Sequence, residues 1–336
     1  MRVPVRVVLL SILIRLYFLF LAFSTAYSQT SLSDVHILPR QKNNLAVAAA
    51  YPTSSGVHDA VLRTSVNLVL VPVTITDALD RPVLGLDRDN FRVFENKKPQ
   101  EIKHFSSEDA PVSLGIILDV SGSMNNKIDR AREAVTEFCE TANPQDEFFL
   151  ITFSDTPQLA EDFTSSPAKL ENDLLTTRPH GRTALLDAIY LGLQEMRQAH
   201  YGRKALLIIS DGGDNHSRYD EHEVKSAIKE ADVMVYAVGT YDRYFRTIEE
   251  QLGPQMLQEL ASITGGRAFA IDNPNELPVV TRKVGLQLRY QYMLGYQPGT
   301  APHDGKWHKI NVKLSVSKRL PFLYVQAKQG YYAGGQ

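Results

Sequence analysis

The sequence predicts an α/β protein: a mainly parallel sheet covered by helices on both faces, inserted in a small antiparallel β-domain. Three observations carry this expectation. Between residues 112 and 286, short uninterrupted apolar runs alternate with segments of helical periodicity. Buried parallel strands and their covering helices require that order. Before and after this region the apolar residues alternate with polar ones, as in half-exposed antiparallel strands. Neither β-rich flank holds enough strands to be stable alone, so the two are expected to complete one β-domain around the insert.

The elements follow in order. Residues 1–28 read as a secretory signal. Arg2 and Arg6 precede apolar stretches at 7–14 and 16–23, no acidic residue occurs before Asp34, and Ala26 and Ser28 place small residues before an expected cleavage site. Residues 7–23 include Arg15 and fall short of the ~20 apolar residues that a span needs. The mature chain is therefore expected to be exported, with no stable membrane span; periplasm, cell surface and external medium stay open. Residues 29–64 lack periodicity and read as a linker.

Residues 65–108 form the first part of the β-domain. Val66, Leu68 and Leu70 alternate, then Val71, Val73 and Ile75 alternate in the other phase next to Pro72, which predicts a bulge or an edge strand. Asp80-Arg81-Pro82 is a turn signal, and 91–94 and 102–105 flank a polar turn at 96–99, a hairpin pattern.

Residues 112–286 form the α/β insert. Strands are expected at 114–118, 148–153, 205–209, 233–238 and 268–271. Helices are expected at 127–142, 183–200, 221–230, 255–263 and 277–286. Residues 287–333 return to β signals. Ile310, Val312, Leu314 and Val316 alternate with Lys309, Asn311, Lys313 and Ser315, 290–296 and 323–328 flank them, and turns fall at 298–305 and 317–321.

Composition excludes several functions. The 336 residues carry 36 Lys and Arg against 38 Asp and Glu, a net charge of −2. Nucleic-acid binding has no basic field to start from. A single cysteine, Cys139, excludes an intrachain disulfide framework and a cysteine-rich metal site; it sits beside the helical stripe and reads as a small buried hydrophobe.

The chemistry gathers at strand ends. The strand at 114–118 runs into Asp119-Val120-Ser121-Gly122-Ser123-Met124. Gly181-Arg182-Thr183-Ala184 opens a helix, and Ser210-Asp211-Gly212-Gly213 ends another strand. Ligands of open parallel sheets bind at these carboxyl ends. Asp119 and Asp211 supply carboxylates, and Ser121, Ser123 and Thr183 supply hydroxyls. Such hard oxygen donors suit Mg²⁺, Mn²⁺ or Ca²⁺ rather than zinc or copper. Two carboxylates barely neutralise a divalent ion, which then favours an anionic oxygen from a partner. The structural alternative is that Ser121 and Ser123 cap the helix at Lys127, Thr183 caps the next helix, and Asp211 makes a turn.

These three motifs, in this order, resemble the von Willebrand factor A (VWA) domain and its metal-ion-dependent adhesion site. The resemblance implies a Rossmann-like fold over residues 112–286. N-L-V-L-V-P-V-T-I-T-D upstream, and W-H-K-I-N-V-K-L and Q-G-Y-Y-A downstream, resemble bacterial exported VWFA-related proteins. It further implies that Ser121 and Ser123 hold the metal directly, that Thr183 does so in the ligand-competent state, that Asp119 and Asp211 act largely through water with Asp119 also positioning the serines, and that the helix at 277–286 moves when the site changes state.

The remaining polar groups read as structural. His216 and His180 border the binding face as exposed loop residues, Tyr290, Tyr292 and Tyr296 read as one face of a strand, and Lys318-Arg319 as a solvated turn. No G-x-S-x-G motif or placed base supports a hydrolase. The expected function is a non-enzymatic adhesion or protein-binding module that takes Mg²⁺ (or Mn²⁺) and a partner's Asp or Glu carboxylate. The alternatives are a metal-dependent hydrolase using His216 and a scaffold with a vestigial site.

Overall fold

The computed structural model describes residues 68–211, 213–241, 248–298, 304–315 and 322–333. All fall within one compact unit, Arg63–Gln336. The expected segments 1–28 and 29–64, Val66, the turn at 317–321 and the centre of the turn at 298–305 lie outside the described residues.

The α/β class holds. Strands β1 (Val69–Thr76), β2 (Phe91–Glu95), β3 (Lys98–Gln100) and β4 (Ile102–Ser106) come first. The insert follows with β5 (Val112–Asp119), α1 (Ile128–Glu140), β6 (Glu147–Phe153), β7 (Pro157–Thr164), α2 (Pro167–Thr176), α3 (Leu185–Glu195), β8 (Arg203–Ser210), α4 (Glu221–Glu230), β9 (Met234–Thr240), α5 (Ile248–Thr264), β10 (Ala268–Ile271) and α6 (Leu277–Arg289). Strands β11 (Tyr292–Tyr296), β12 (Trp307–Leu314), β13 (Tyr324–Ala327) and β14 (Gly330–Tyr332) close the chain. Among the described residues, no helix is long and apolar enough to cross a membrane.

The central sheet has the order β10-β9-β8-β5-β6-β7, and only β7 runs antiparallel. Every residue of β5 is buried. Successive side chains of a strand point to opposite faces, so Ile116 and Leu118 pack with Val135, Phe138 and Val284 on one face. Ile117 packs with Ile189, Leu193 and Leu260 on the other. Each such side chain contributes roughly 1.5–3 kcal/mol by leaving water. This double burial holds the carboxyl end of β5, and the motif that follows it, in place.

Residues 154–182 carry no sequence assignment, yet they form β7 and α2. An edge strand needs one buried side only, and Pro157 at its first position loses no ladder bond. Most of β7 is solvent-facing, so its apolar signal is weak. Helix α3 ends sooner than expected and tightens into a 3-10 turn, Met196–Gln198. Helix α5 begins before the expected 255 and contains Pro254. Cys139 is buried on α1, and burial pushes its thiol up to about 12, as suits an inert core residue.

The flanking strands interleave into two antiparallel sheets, β13-β1-β11-β4 and β14-β12-β2-β3. Val71, Val73, Ile75, Phe91, Leu294 and Ile310 form part of their common core. Three expectations need correction. β1 is an inner strand with an unbroken register, not a bulged or edge strand. Pro72 falls outside the stretch covered by β13, which pairs only with Val73–Thr76, so the missing N–H meets no partner on that side. The hairpin is β2–β3, because Asn96 and Lys97 adopt φ of 46° and 70°, the left-handed pair of a two-residue turn; residues 102–105 join the other sheet instead. Tyr292 and Tyr296 are buried in β11, whereas Tyr290 caps the C-terminus of α6.

The sandwich attaches at the amino ends of the central strands. Arg203, at the start of β8, donates to the carbonyls of Ala110 and Leu288, both at 2.6 Å. Gln291 Nε2 lies 3.0 Å from Met234 Sδ at the start of β9, Lys328 donates to Asp232, and Arg267 pairs with Asp80. The opposite, carboxyl edge of the sheet stays clear of these contacts.

One half-buried polar cluster ties β2, β12 and β14 together. His308 Nδ1 meets Glu95 Oε1, His308 Nε2 lies 3.2 Å from Asp304 Oδ1, and the Tyr331 hydroxyl donates to Glu95 Oε1 at 3.2 Å. Burial pushes the His308 imidazole down, but the hydrogen bonds and charges of Glu95 and Asp304 outweigh it and leave it above its ordinary value. The folded chain thus holds this proton more tightly than the unfolded chain. The resulting stability is complete below the ordinary histidine range and is lost as pH rises through the raised value. Melting temperature is therefore expected to fall more steeply in the native protein than in His308→Gln between about pH 6 and pH 8. Superimposable pH profiles would refute this role.

Candidate metal centre

The carboxyl edge of the central sheet gathers the three motifs. Asp119 ends β5, and the chain turns there: Ser121 N–H donates to Asp119 Oδ1 at 2.8 Å, and Gly122–Met124 form a 3-10 turn. Ser210, the last residue of β8, donates its hydroxyl to Asp119 Oδ2 at 2.6 Å. Asp211 follows it. Both carboxylates are buried, Asp119 fully and Asp211 with 2% exposure.

Loop-to-loop hydrogen bonds bring the second motif beside the first. Gly122 N–H donates to the Gly181 carbonyl at 3.1 Å, and His180 N–H donates to the Val120 carbonyl at 2.9 Å. Gly181 has φ of 72°, and a Cβ there would lie 2.3 Å from the Asp155 carboxylate. Glycine is needed on both counts. Asp155 accepts from Arg182 N–H at 3.0 Å, and the Ser154 carbonyl accepts from Ala184 N–H at 2.8 Å. The third motif is stitched to Thr183 in turn. Thr183 N–H donates to Asn215 Oδ1, while Asn215 and His216 N–H groups donate to the Thr183 carbonyl.

The hydroxyls are not used as helix caps. Helix α1 starts at Lys127 with no side-chain cap, and Ser121 Oγ lies 3.0 Å from Ser123 Oγ. Helix α3 is capped from outside: Asp214 Oδ1 accepts from Leu185 N–H at 2.9 Å, from Leu186 N–H at 3.3 Å and from the Ser217 hydroxyl at 2.6 Å. The Asp211 carboxylate makes an ion pair, 3.3 Å from Lys127 Nζ.

The electrostatics of this pocket are unfavourable on their own. Burial first, and then the charge of Asp211, push the Asp119 carboxyl up to about 7, against hydrogen bonds from Ser121 and Ser210 that favour its ionised form. Burial and the neighbouring charge both count against the ionised Asp119 carboxylate, and a cation beside it would relieve both costs. The donor set is all oxygen, with buried Ser121 and Thr183 and exposed Ser123 beside the carboxylates, and it fits a hard divalent ion. Among the described residues, no three His, Cys, Asp or Glu side chains cluster as metal ligands.

His216 is exposed, and its Nδ1 lies 3.3 Å from Arg182 Nη1. Sequence reasoning missed four positioning residues: Lys127, Asp155, Ser210 and Asp214. Asp155 follows the strand end Phe153-Ser154, the same signal that marked Asp119 and Asp211.

Residues 114–213 match the sequence model of the von Willebrand factor type A domain. The chain carries a VWA domain. Inter alpha-trypsin inhibitor heavy chain 4 of Mus musculus is 24% identical over 190 residues, which cover 51% of this chain and 19% of that protein. A UPF0353 protein of Mycolicibacterium paratuberculosis is 24% identical over 207 residues, covering 54% of this chain and 61% of the relative. The chain thus spans less than two thirds of either curated relative. Among solved structures, a von Willebrand factor type A protein from Catenulispora acidiphila superposes with a TM-score of 0.49 at 13% identity, over 80% of this chain and 75% of that one.

The VWA loops depend on Asp214 as a cap borrowed from another segment. Asp214→Ala is expected to lower stability by about 1–2 kcal/mol and to speed hydrogen exchange at Leu185 and Leu186. Unchanged exchange at these amides would refute the capping role.

Proposed function

We propose that the protein is an exported, non-enzymatic protein-binding module. In this reading Asp119, Ser121, Ser123, Thr183 and Asp211 hold Mg²⁺ (or Mn²⁺), and a partner protein presents an Asp or Glu carboxylate to the centre. The VWA domain supports the coarser part, a protein-interaction module. The finer part is supported chiefly by one observation: two buried carboxylates share a sheet edge, and burial together with the Asp211 charge raises the Asp119 carboxyl. A bound ion would supply positive charge and an open coordination position for an anionic oxygen.

The chain's own residues do the rest. Asp119 orders the Ser121 backbone and receives Ser210, which fixes the loop that carries both serine hydroxyls. Gly181 and Asp155 place Thr183 against that loop. Exposed Ser123, Arg182 and His216 surround the buried acids and form a polar rim that a partner would meet first. Export rests on the signal pattern of residues 1–28. The proposed division is a signal at 1–28, a linker at 29–64, a sandwich from 65–108 and 287–333, and the VWA domain at 112–286.

Affinity capture from a bacterial envelope extract tests the reading. Partner recovery is expected with Mg²⁺ and to be lost with EDTA or with Asp119→Ala. Recovery that survives both treatments would overturn the metal-dependent mechanism.

A further inference from the structure

Lys127 has an unexpected position. It is the residue from which α1 starts: its carbonyl accepts from Ala131 N–H at 2.9 Å, and its own N–H donates to the Met124 carbonyl at 2.9 Å. A positive charge at a helix amino end opposes the helix dipole. The side chain is also nearly buried, with 11% exposure, and burying an ammonium is costly unless it is paired. Helix formation therefore explains neither its charge nor its burial. What the ammonium meets is the candidate centre: Asp211 Oδ2 at 3.3 Å and the Thr240 carbonyl at 3.5 Å.

We propose that Lys127 is a tethered counter-cation of this centre, which holds Asp211 when no metal is bound and lowers the centre's affinity for a divalent ion. The inference rests on the metal reading above and deepens it. Without Lys127, Asp119 and Asp211 would face each other with no cation, and the metal-free protein would lose stability. With Lys127, an incoming ion meets a site already partly neutralised. Both carboxylates ionised, the occupied centre carries one net positive charge rather than none, which suits capture of an acidic group. The ammonium thus trades metal affinity for a metal-free state that stays folded.

The sign of the effect separates this role from a structural one. A side chain that merely supports the loop would, when removed, weaken metal binding. A competing charge would, when removed, strengthen it. Calorimetric titration of the full chain with Mg²⁺ or Mn²⁺ tests this on the native protein, Lys127→Met, Lys127→Gln and Lys127→Arg. The neutral variants are expected to bind about tenfold tighter, the scale on which a nearby unit charge acts on a divalent ion in a partly solvated site. Lys127→Arg is expected to stay near the native affinity. In EDTA the neutral variants are expected to melt lower, and saturating Mg²⁺ is expected to raise their melting temperature by more than it raises the native one. Lys127→Gln, polar and of similar length, serves if Lys127→Met does not fold.

Metal binding in the native protein, with equal or weaker binding in the folded neutral variants, would overturn the role of Lys127 and leave the metal reading intact. No binding by any of the proteins would overturn both. Binding by the neutral variants alone would support the role of Lys127 in its strongest form.

Discussion

The structure turns on the burial of two carboxylates at one edge of a doubly covered sheet. Asp119 and Asp211 end neighbouring strands, β5 and β8, whose side chains are packed on both faces. The strands cannot move apart without exposing that core, so the carboxylates cannot separate to relieve their repulsion. Burial and mutual charge raise Asp119 to about 7. The surrounding groups answer this stress in ordered ways: Ser210 and the Ser121 backbone solvate Asp119, and Lys127 pairs with Asp211. The packing of the sheet keeps the two acids in place, and the cation site proposed above would draw on that constraint.

Much of this was legible in the chain. Uninterrupted apolar runs such as 114–118 and 205–209 specify strands buried on both faces, and the polar residues immediately after them must then lie at the carboxyl edge. Asp119, Ser121, Ser123 and Asp211 follow such runs, so their place at this edge was readable, whereas Thr183 was read from the helix start it precedes. The supporting residues were less readable, since their roles depend on long-range contacts. Asp214 caps a helix 29 residues earlier in the chain, and Lys127 meets an acid 84 residues later. No local pattern encodes either distance. Strand β7 and helix α2 escaped for a different reason: a solvent-facing edge strand carries little apolar periodicity.

The sandwich shows the same division. Its composition and antiparallel character follow from alternating residues, and its completion from both flanks follows from the shortage of strands in each. Its pairing does not. The left-handed Asn96 and Lys97 set a tighter hairpin than the polar run at 96–99 suggested, and β4 then crosses to the other sheet. Pro72, a marker of irregularity in sequence, sits in an inner strand because its neighbour β13 starts one residue later. The sandwich meets the amino ends of the central strands through Gln291, Lys328 and Asp80, and the carboxyl edge remains free of those contacts.

The central claim is that the paired acids and hydroxyls of this edge hold one divalent ion. Anomalous diffraction from crystals equilibrated with Mn²⁺ tests it most directly, because manganese scatters where protein atoms do not. One manganese peak bounded by Asp119, Ser121, Ser123, Thr183 and Asp211 is expected. Saturating Mn²⁺ with no peak among these five side chains would contradict it.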